Sequence, residues 1–206
     1  MPISSPTFPA GWATTGPEPG GPPPLPVLTF LDRPDAFTTA ECDAIVALAL
    51  GSALEPATVY DGVGDRVDPR QRQAERCYWP RETAGGWIHA RLDALFAEAA
   101  GRFELPVDPL FEDVQFVRYG PGGHFQVWHS DAGRDRFDER RISVSVELSE
   151  PGDYDGGVLE IAPALGLPRT LPRGGARLFR SRMIHRVTPV TRGVRHALVE
   201  WTGREP

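Results

Sequence analysis

His129-Ser130-Asp131 carries two metal-ligating side chains one residue apart, and a further histidine, His185, stands much later in Met183-Ile184-His185-Arg186-Val187-Thr188-Pro189. Two imidazoles and a carboxylate make the facial triad of a non-haem Fe(II) site: they hold one face of an octahedral ion and leave three positions open for chemistry. In an extended strand residues i and i+2 point to the same side, so His129 and Asp131 reach one ion if Phe125 to Trp128 runs as a strand into that turn. Ser130 then points away, and His185 must be delivered by a distant strand. By itself a His-x-Asp pair is weak, since it arises by chance and such a histidine is ordinarily a hydrogen-bonded surface or core residue.

Arg195 strengthens the pattern. It lies ten residues beyond His185, past the Thr191-Arg192-Gly193 turn, in the apolar run Val194 to Trp201. A guanidinium inside a barrel strand is costly to bury unless it meets an anion, and a carboxylate fits its planar fork best. A dicarboxylic cosubstrate supplies one such anion; a structural ion pair within the protein supplies another.

The elements that must position these residues follow from periodicity. Residues 1–26 are rich in Pro and Gly, with Gly20-Gly21-Pro22-Pro23-Pro24, and read as a flexible or polyproline arm before a single domain over 27–206. Within it, 27–110 is expected to give helical support and 111–202 the catalytic core. A strand at Val27–Leu31 precedes a helix starting near Thr38, where Thr38-Thr39-Ala40-Glu41 offers a capping box. A second helix is expected over about Gly86–Arg102, both helices packing on the outer face of the larger sheet. Asp61–Ala74 has no hydrophobic period and is expected to be a loop, either a lid or a surface connection. After Phe111 the spacing predicts strands at Val114–Tyr119, His124–Trp128, Arg141–Leu148, Gly157–Ala162, Arg169–Leu171, Ala176–Phe179, His185–Val187 and Val194–Trp201. Two helices followed by these strands fit a mainly β fold with flanking helices, a double-stranded β-helix or jelly roll.

With its turns in place, the stretch from about 110 to 202 resembles a known family. Arg118-Tyr119-Gly120-Pro121-Gly122-Gly123-His124 leading to His129-Ser130-Asp131, then Arg141 to Ser149, Asp153-Tyr154-Asp155-Gly156-Gly157, and His185 to Arg195 resemble the 2-oxoglutarate and Fe(II)-dependent dioxygenases of the prolyl 4-hydroxylase-like superfamily, including bacterial PKHD-type hydroxylases. The resemblance implies iron ligands at His129, Asp131 and His185, with Arg195 and Tyr119 holding 2-oxoglutarate. The interval from Tyr119 to His129 is a residue longer than the family pattern, which allows a bulge. It further implies Fe(II), 2-oxoglutarate and O₂, with ascorbate as an accompanying reductant. The expected reaction hydroxylates an aliphatic carbon of an amino acid, free or peptide-bound and prolyl-type by preference, releasing succinate and CO₂.

Composition bounds the alternatives. A net charge of -6 with no lysine disfavours a nucleic-acid surface, although a basic stretch runs from Arg169 to Arg186. A nucleic-acid demethylase with the same iron chemistry is therefore disfavoured, and Trp201 stands where the resemblance would place a second arginine for it. A non-catalytic metal-binding jelly-roll sensor or binding module is the other alternative, against which the complete triad with Arg195 argues. Cys42 and Cys77 have no zinc-type spacing and read as small hydrophobes. No membrane-spanning run and no signal-peptide pattern are visible, so the cytoplasm is the expected compartment. Arg76, Tyr78 and Trp79 are expected to face substrate, and Arg141 to orient it or pair with a surface acid. Trp128 adjoins a ligand but by strand parity faces opposite to it, which favours the core, and Trp201 is expected in the barrel core or lining the cosubstrate pocket.

Overall fold

The computed structural model describes residues 30–107, 112–133, 137–162 and 170–203. The arm at 1–26, the start of the strand expected at Val27–Leu31, and Arg169 lie outside the described residues. In chain order the elements are β1 (Phe30–Arg33), α1 (Thr39–Leu50), β2 (Glu55–Pro56), β3 (Val59–Tyr60), β4 (Asp65–Arg66), β5 (Arg72–Gln73), β6 (Glu75–Trp79) and α2 (Gly86–Phe103). There follow β7 (Val114–Tyr119), β8 (His124–His129), β9 (Arg140–Glu147), β10 (Tyr154–Gly156), β11 (Leu159–Ala162), β12 (Ala176–Arg180), β13 (Ile184–Val187), β14 (Val190–Gly193) and β15 (Arg195–Gly203).

The larger sheet has seven strands in the order β1-β12-β9-β15-β7-β6-β2, and the smaller has four in the order β11-β13-β8-β5. Both helices cover the outer face of the larger sheet. Helix α1 starts where Thr38 Oγ1 accepts from Glu41 N at 3.2 Å while the Glu41 carboxylate accepts from Thr38 N at 2.7 Å, the capping box that the sequence predicts. Its Cys42, Ile45 and Ala49, with Ile88, Leu92, Phe96 and Ala99 of α2, bury against Phe116, Val144, Val146, Leu178 and Leu198. Full burial of each Ile, Leu, Val or Phe side chain among these favours folding by about 1.5–3 kcal/mol.

Strand parity then decides what faces inward. On β9, Ile142, Val144 and Val146 belong to the helix-side core, which turns Ser143, Ser145 and Glu147 to the other face. On β15, His196 stacks on Phe116 at 5.4 Å and Glu200 meets His89 of α2 at 2.6 Å, so Arg195, Ala197, Val199 and Trp201 face inward.

Several expected boundaries change. Asp61–Ala74 is not a structureless loop: β3 and β4 pair as a hairpin, and β5 joins the edge of β8. Side chains supply what hydrophobic alternation does not, since the Asp61 carboxylate accepts from Val63 N at 3.0 Å and Gly64 N at 3.1 Å. The expected Gly157–Ala162 strand begins only at Leu159, and Thr170-Leu171 is not a strand. Gly156 (φ 77°) and Gly157 (φ 60°) are left-handed, as a tight turn there requires. A Cβ on Gly156 would lie 2.1 Å from Pro189 O. Both cysteines are buried and unpaired with one another. No helix among the described residues is long and apolar enough to cross a membrane.

Candidate metal centre

Strands β8 and β13 lie side by side in the smaller sheet with His129 directly opposite His185. Asp131 follows β8 by two residues, its N–H donating to Ser181 O at 2.9 Å. Turn and ladder together bring the ligand atoms of His129, Asp131 and His185 within 4.8 Å of one another. His129 Nδ1 lies 2.9 Å from Val127 O, and His185 Nδ1 lies 3.0 Å from Met183 O. Carbonyls only accept, so each Nδ1 carries the proton and each Nε2 keeps its lone pair for a metal. Ser143 Oγ donates to Asp131 Oδ2 at 2.7 Å and orients the carboxylate.

Charge agrees with this geometry. Burial, helped by the neighbouring His185, pushes the His129 imidazole down to about 4. Burial pushes the Asp131 carboxyl up, but His185, His129 and Arg140 outweigh it and hold it at about 2. At neutral pH His129 is therefore neutral and Asp131 charged, the donor types that a divalent first-row ion takes from imidazole and carboxylate.

The cluster opens on a cavity of about 1050 Å³ lined from both sheets, with Tyr119, Arg195, Gln115, Arg72, Trp128 and Trp201 among its walls. A three-donor face beside a cavity is the constellation of an oxygen-activating iron site. The profile of the 2-oxoglutarate–Fe(II) oxygenase superfamily matches residues 114–203, which run from the first residue of β7 to the last of β15. Over this span the chain is similar to a 2-oxoglutarate–Fe(II) oxygenase. A PKHD-type hydroxylase from a Synechococcus is 28% identical over 175 residues, covering 81% of this chain and 75% of its own length. One from Pseudomonas aeruginosa is 39% identical over 93 residues, 42% of this chain and 41% of its own. Among solved structures, a Pseudomonas putida prolyl-4-hydroxylase matches with TM-score 0.68 at 21% identity, over 86% of this chain and 94% of its own. A Trichoplax adhaerens prolyl hydroxylase, solved with a peptide fragment of the hypoxia inducible factor oxygen degradation domain, matches with TM-score 0.69 at 18% identity, over 85% of this chain and 83% of its own. These likenesses carry the fold, the double-stranded β-helix. This oxygenase uses Fe(II), 2-oxoglutarate and O₂, and the donor set suits the metal.

The oxygenase places the other sequence-derived residues unevenly. Arg195 is 3% exposed and faces the cavity, with Tyr119 opposite it across the ladder and its guanidinium carbon 5.5 Å from the Tyr119 ring. Its anion here is internal, because Nε donates to Glu147 Oε2 at 2.9 Å. Arg76 and Tyr78 line the cavity. Trp79 does not: it is buried in the helix-side core, 6.1 Å from the Phe116 ring, since its parity on β6 is opposite to that of Arg76 and Tyr78. Arg141 keeps one of the two roles expected for it, the pairing with a surface acid, and not the orienting of substrate. It hydrogen-bonds to Asp138 O and sits by Glu139, away from the cavity, whereas its neighbour Arg140 lines the cavity with its guanidinium 3.8 Å over Trp201.

Trp128 is not core; it is 44% exposed at the cavity, under the Arg186 guanidinium at 4.6 Å. Strand parity holds, since Trp128 points opposite to His129 and lies on the face of Arg186, which alternates with His185 on β13, but the helix-side core packs on the larger sheet and not on this face. Ser143, Arg140, Gln115 and Glu147 escaped sequence reasoning. The signal available was the alternation Ser143-Val144-Ser145-Val146-Glu147, whose polar members must share one face of the strand.

Proposed function

We propose that His129, Asp131 and His185 hold the Fe(II), that Arg195 flanked by Tyr119 receives the distal carboxylate of 2-oxoglutarate, and that residues 27–206 work as one catalytic domain behind the 1–26 arm. The observation that carries this is the three-ligand cluster on the wall of a cavity that Arg195 also lines. With the cosubstrates, bound iron supplies oxidation of 2-oxoglutarate to succinate and CO₂ coupled to hydroxylation of an aliphatic C–H bond. What the chain contributes is ligation, orientation and exclusion of water. Ser143 fixes the carboxylate ligand, the carbonyls of Val127 and Met183 fix the imidazoles, and Arg195 fixes the far end of the cosubstrate.

The substrate proposed is an amino-acid residue, free or within a peptide or protein, with proline favoured. The PKHD-type and prolyl hydroxylase relatives support this, as does the rim, where Trp128 and Tyr78 are exposed. Aromatic faces of this kind suit a proline ring in an extended peptide. The test is succinate release by protein purified without oxygen and then given Fe(II), ascorbate, 2-oxoglutarate and O₂, against pools of free amino acids and of proline-containing peptides. Release that rises with one pool and is lost in His129→Ala is the expected result. Absence of iron and 2-oxoglutarate binding would replace this function with that of a non-catalytic binding module.

A further inference from the structure

The far end of the cavity holds more than Arg195. Glu147 on β9 and Tyr154 on β10 close a small void of about 30 Å³ beside it, together with Ser145, Leu159 and Arg177. Glu147 is 6% exposed and Tyr154 5%. The Arg195–Glu147 contact uses Nε, so the terminal Nη edge of the guanidinium is not the edge that Glu147 takes. Glu147 Oε1 and the Tyr154 hydroxyl are buried beside one another, and neither makes a hydrogen bond of good geometry among the described residues. Buried polar atoms are rarely left so unless another group is to meet them.

Charge makes the arrangement conditional. One guanidinium balances one carboxylate, and a second carboxylate on the same guanidinium leaves a net negative charge away from water. Two carboxylates forced together do not both stay ionised; one takes a proton. The other groups facing the pair do not change this balance. Tyr154 is pushed up to about 12, by burial and then by Glu147, and stays neutral. Tyr119 stands on the opposite side of Arg195. Arg177 on β12 already pairs with Asp32, at 2.7 and 2.8 Å. Burial outweighs Arg195 and raises the Glu147 carboxyl even before an anion arrives, so Glu147 is the group that yields.

We infer that Glu147 is a positioning residue of the cosubstrate site: it holds Arg195 through Nε in the free protein and takes up one proton from solvent when the distal carboxylate docks on the same guanidinium. This rests on the assignment of Arg195 to 2-oxoglutarate made above. Protonation turns one oxygen of Glu147 into a donor beside the incoming carboxylate and the Tyr154 hydroxyl. Cosubstrate affinity then falls as pH rises, by up to about tenfold per pH unit between the Glu147 pKa of the free and of the occupied site. A 2-oxo acid without a distal carboxylate, such as pyruvate, draws no such proton.

The test is anaerobic titration calorimetry of the full chain loaded with Mn(II), across about pH 6 to about pH 9 in buffers of different ionisation enthalpy, which counts protons per ligand. Expected is uptake approaching one proton per 2-oxoglutarate somewhere in that range and none with pyruvate. In Glu147→Gln, a neutral isostere of the protonated acid, uptake disappears and affinity at the alkaline end exceeds wild type about tenfold or more. Wild type binding 2-oxoglutarate with no proton uptake at any pH overturns the inference but leaves the cosubstrate assignment standing, and this arm does not depend on the variant folding. Uptake that persists in Glu147→Gln, or weaker binding by that variant at every pH, also overturns it. If 2-oxoglutarate does not bind at all, both fall together.

Discussion

The two ends of the cavity handle charge in opposite ways. At the triad, Asp131 is kept ionised and His129 neutral, with both imidazoles braced by backbone carbonyls, so the three donors converge within 4.8 Å of one another and, among the described residues, no guanidinium sits on them as Glu147 sits on Arg195. At Arg195, the countercharge is built in, because Glu147 sits on the guanidinium. One end is preorganised for an ion that must come from outside; the other is already neutral and must rearrange its protons to accept a ligand. A cofactor bound through several directed donors can be awaited by an unpaired site near solvent, whereas a lone buried guanidinium cannot wait without an anion.

This contrast can be broken most severely at the metal. His185→Ala and His129→Ala should each abolish turnover and lower Mn(II) affinity by about 100-fold or more, read by paramagnetic resonance of the titrated metal. The next largest effect is at the other end. Arg195→Gln should raise the KM for 2-oxoglutarate about 100-fold and, by leaving Glu147 without its partner, cost about 3 kcal/mol in denaturant unfolding at alkaline pH. That stability loss should shrink as the pH falls and Glu147 takes a proton, which a repeat of the unfolding in acid would show. Ser143→Ala should weaken metal binding about tenfold with little change in the affinity for pyruvate, since the serine only orients Asp131.

pH sharpens the comparison through opposite signs. His129 must be neutral to bind metal, and its pKa is depressed from 6.5 to about 4. In the apoprotein the folded state therefore binds fewer protons than the unfolded state between those values. Its contribution to stability falls as the pH drops through that window, and metal affinity falls as the pH approaches about 4. Cosubstrate affinity should fall towards alkali instead. The smallest effect on turnover is expected at the rim: Tyr78→Phe should change the KM for a peptide substrate only about 2–3-fold, while costing about 1–2 kcal/mol of stability because its hydroxyl accepts from Arg76 and from the buried Gln115.

Much of the site was legible in the chain because it depends on short-range geometry. The i, i+2 rule placed His129 and Asp131 on one side, the capping box at Thr38 set the start of α1, and the alternation after Phe111 foretold the strands that carry the ligands. Where one residue of register mattered, that legibility failed. Trp79 and Arg141 turn away where their neighbours Tyr78 and Arg140 line the cavity, and Trp128 shares the face of Arg186 instead of joining the core. Short strands such as β3, β4 and β5 leave too few residues for a hydrophobic period to register.

By itself, then, the sequence determined the chemistry: two histidines, a carboxylate and an arginine in an order that fits an iron oxygenase, on segments with strand periodicity. Only the tertiary structure decided who meets whom. That Glu147 rather than solvent neutralises Arg195, that Ser143 steadies Asp131, and that Arg140 lies over Trp201 are facts of register between strands far apart in the chain. Local periodicity says which face a side chain takes, but its neighbour on that face comes from the pairing of distant strands, and a shift of one residue exchanges it.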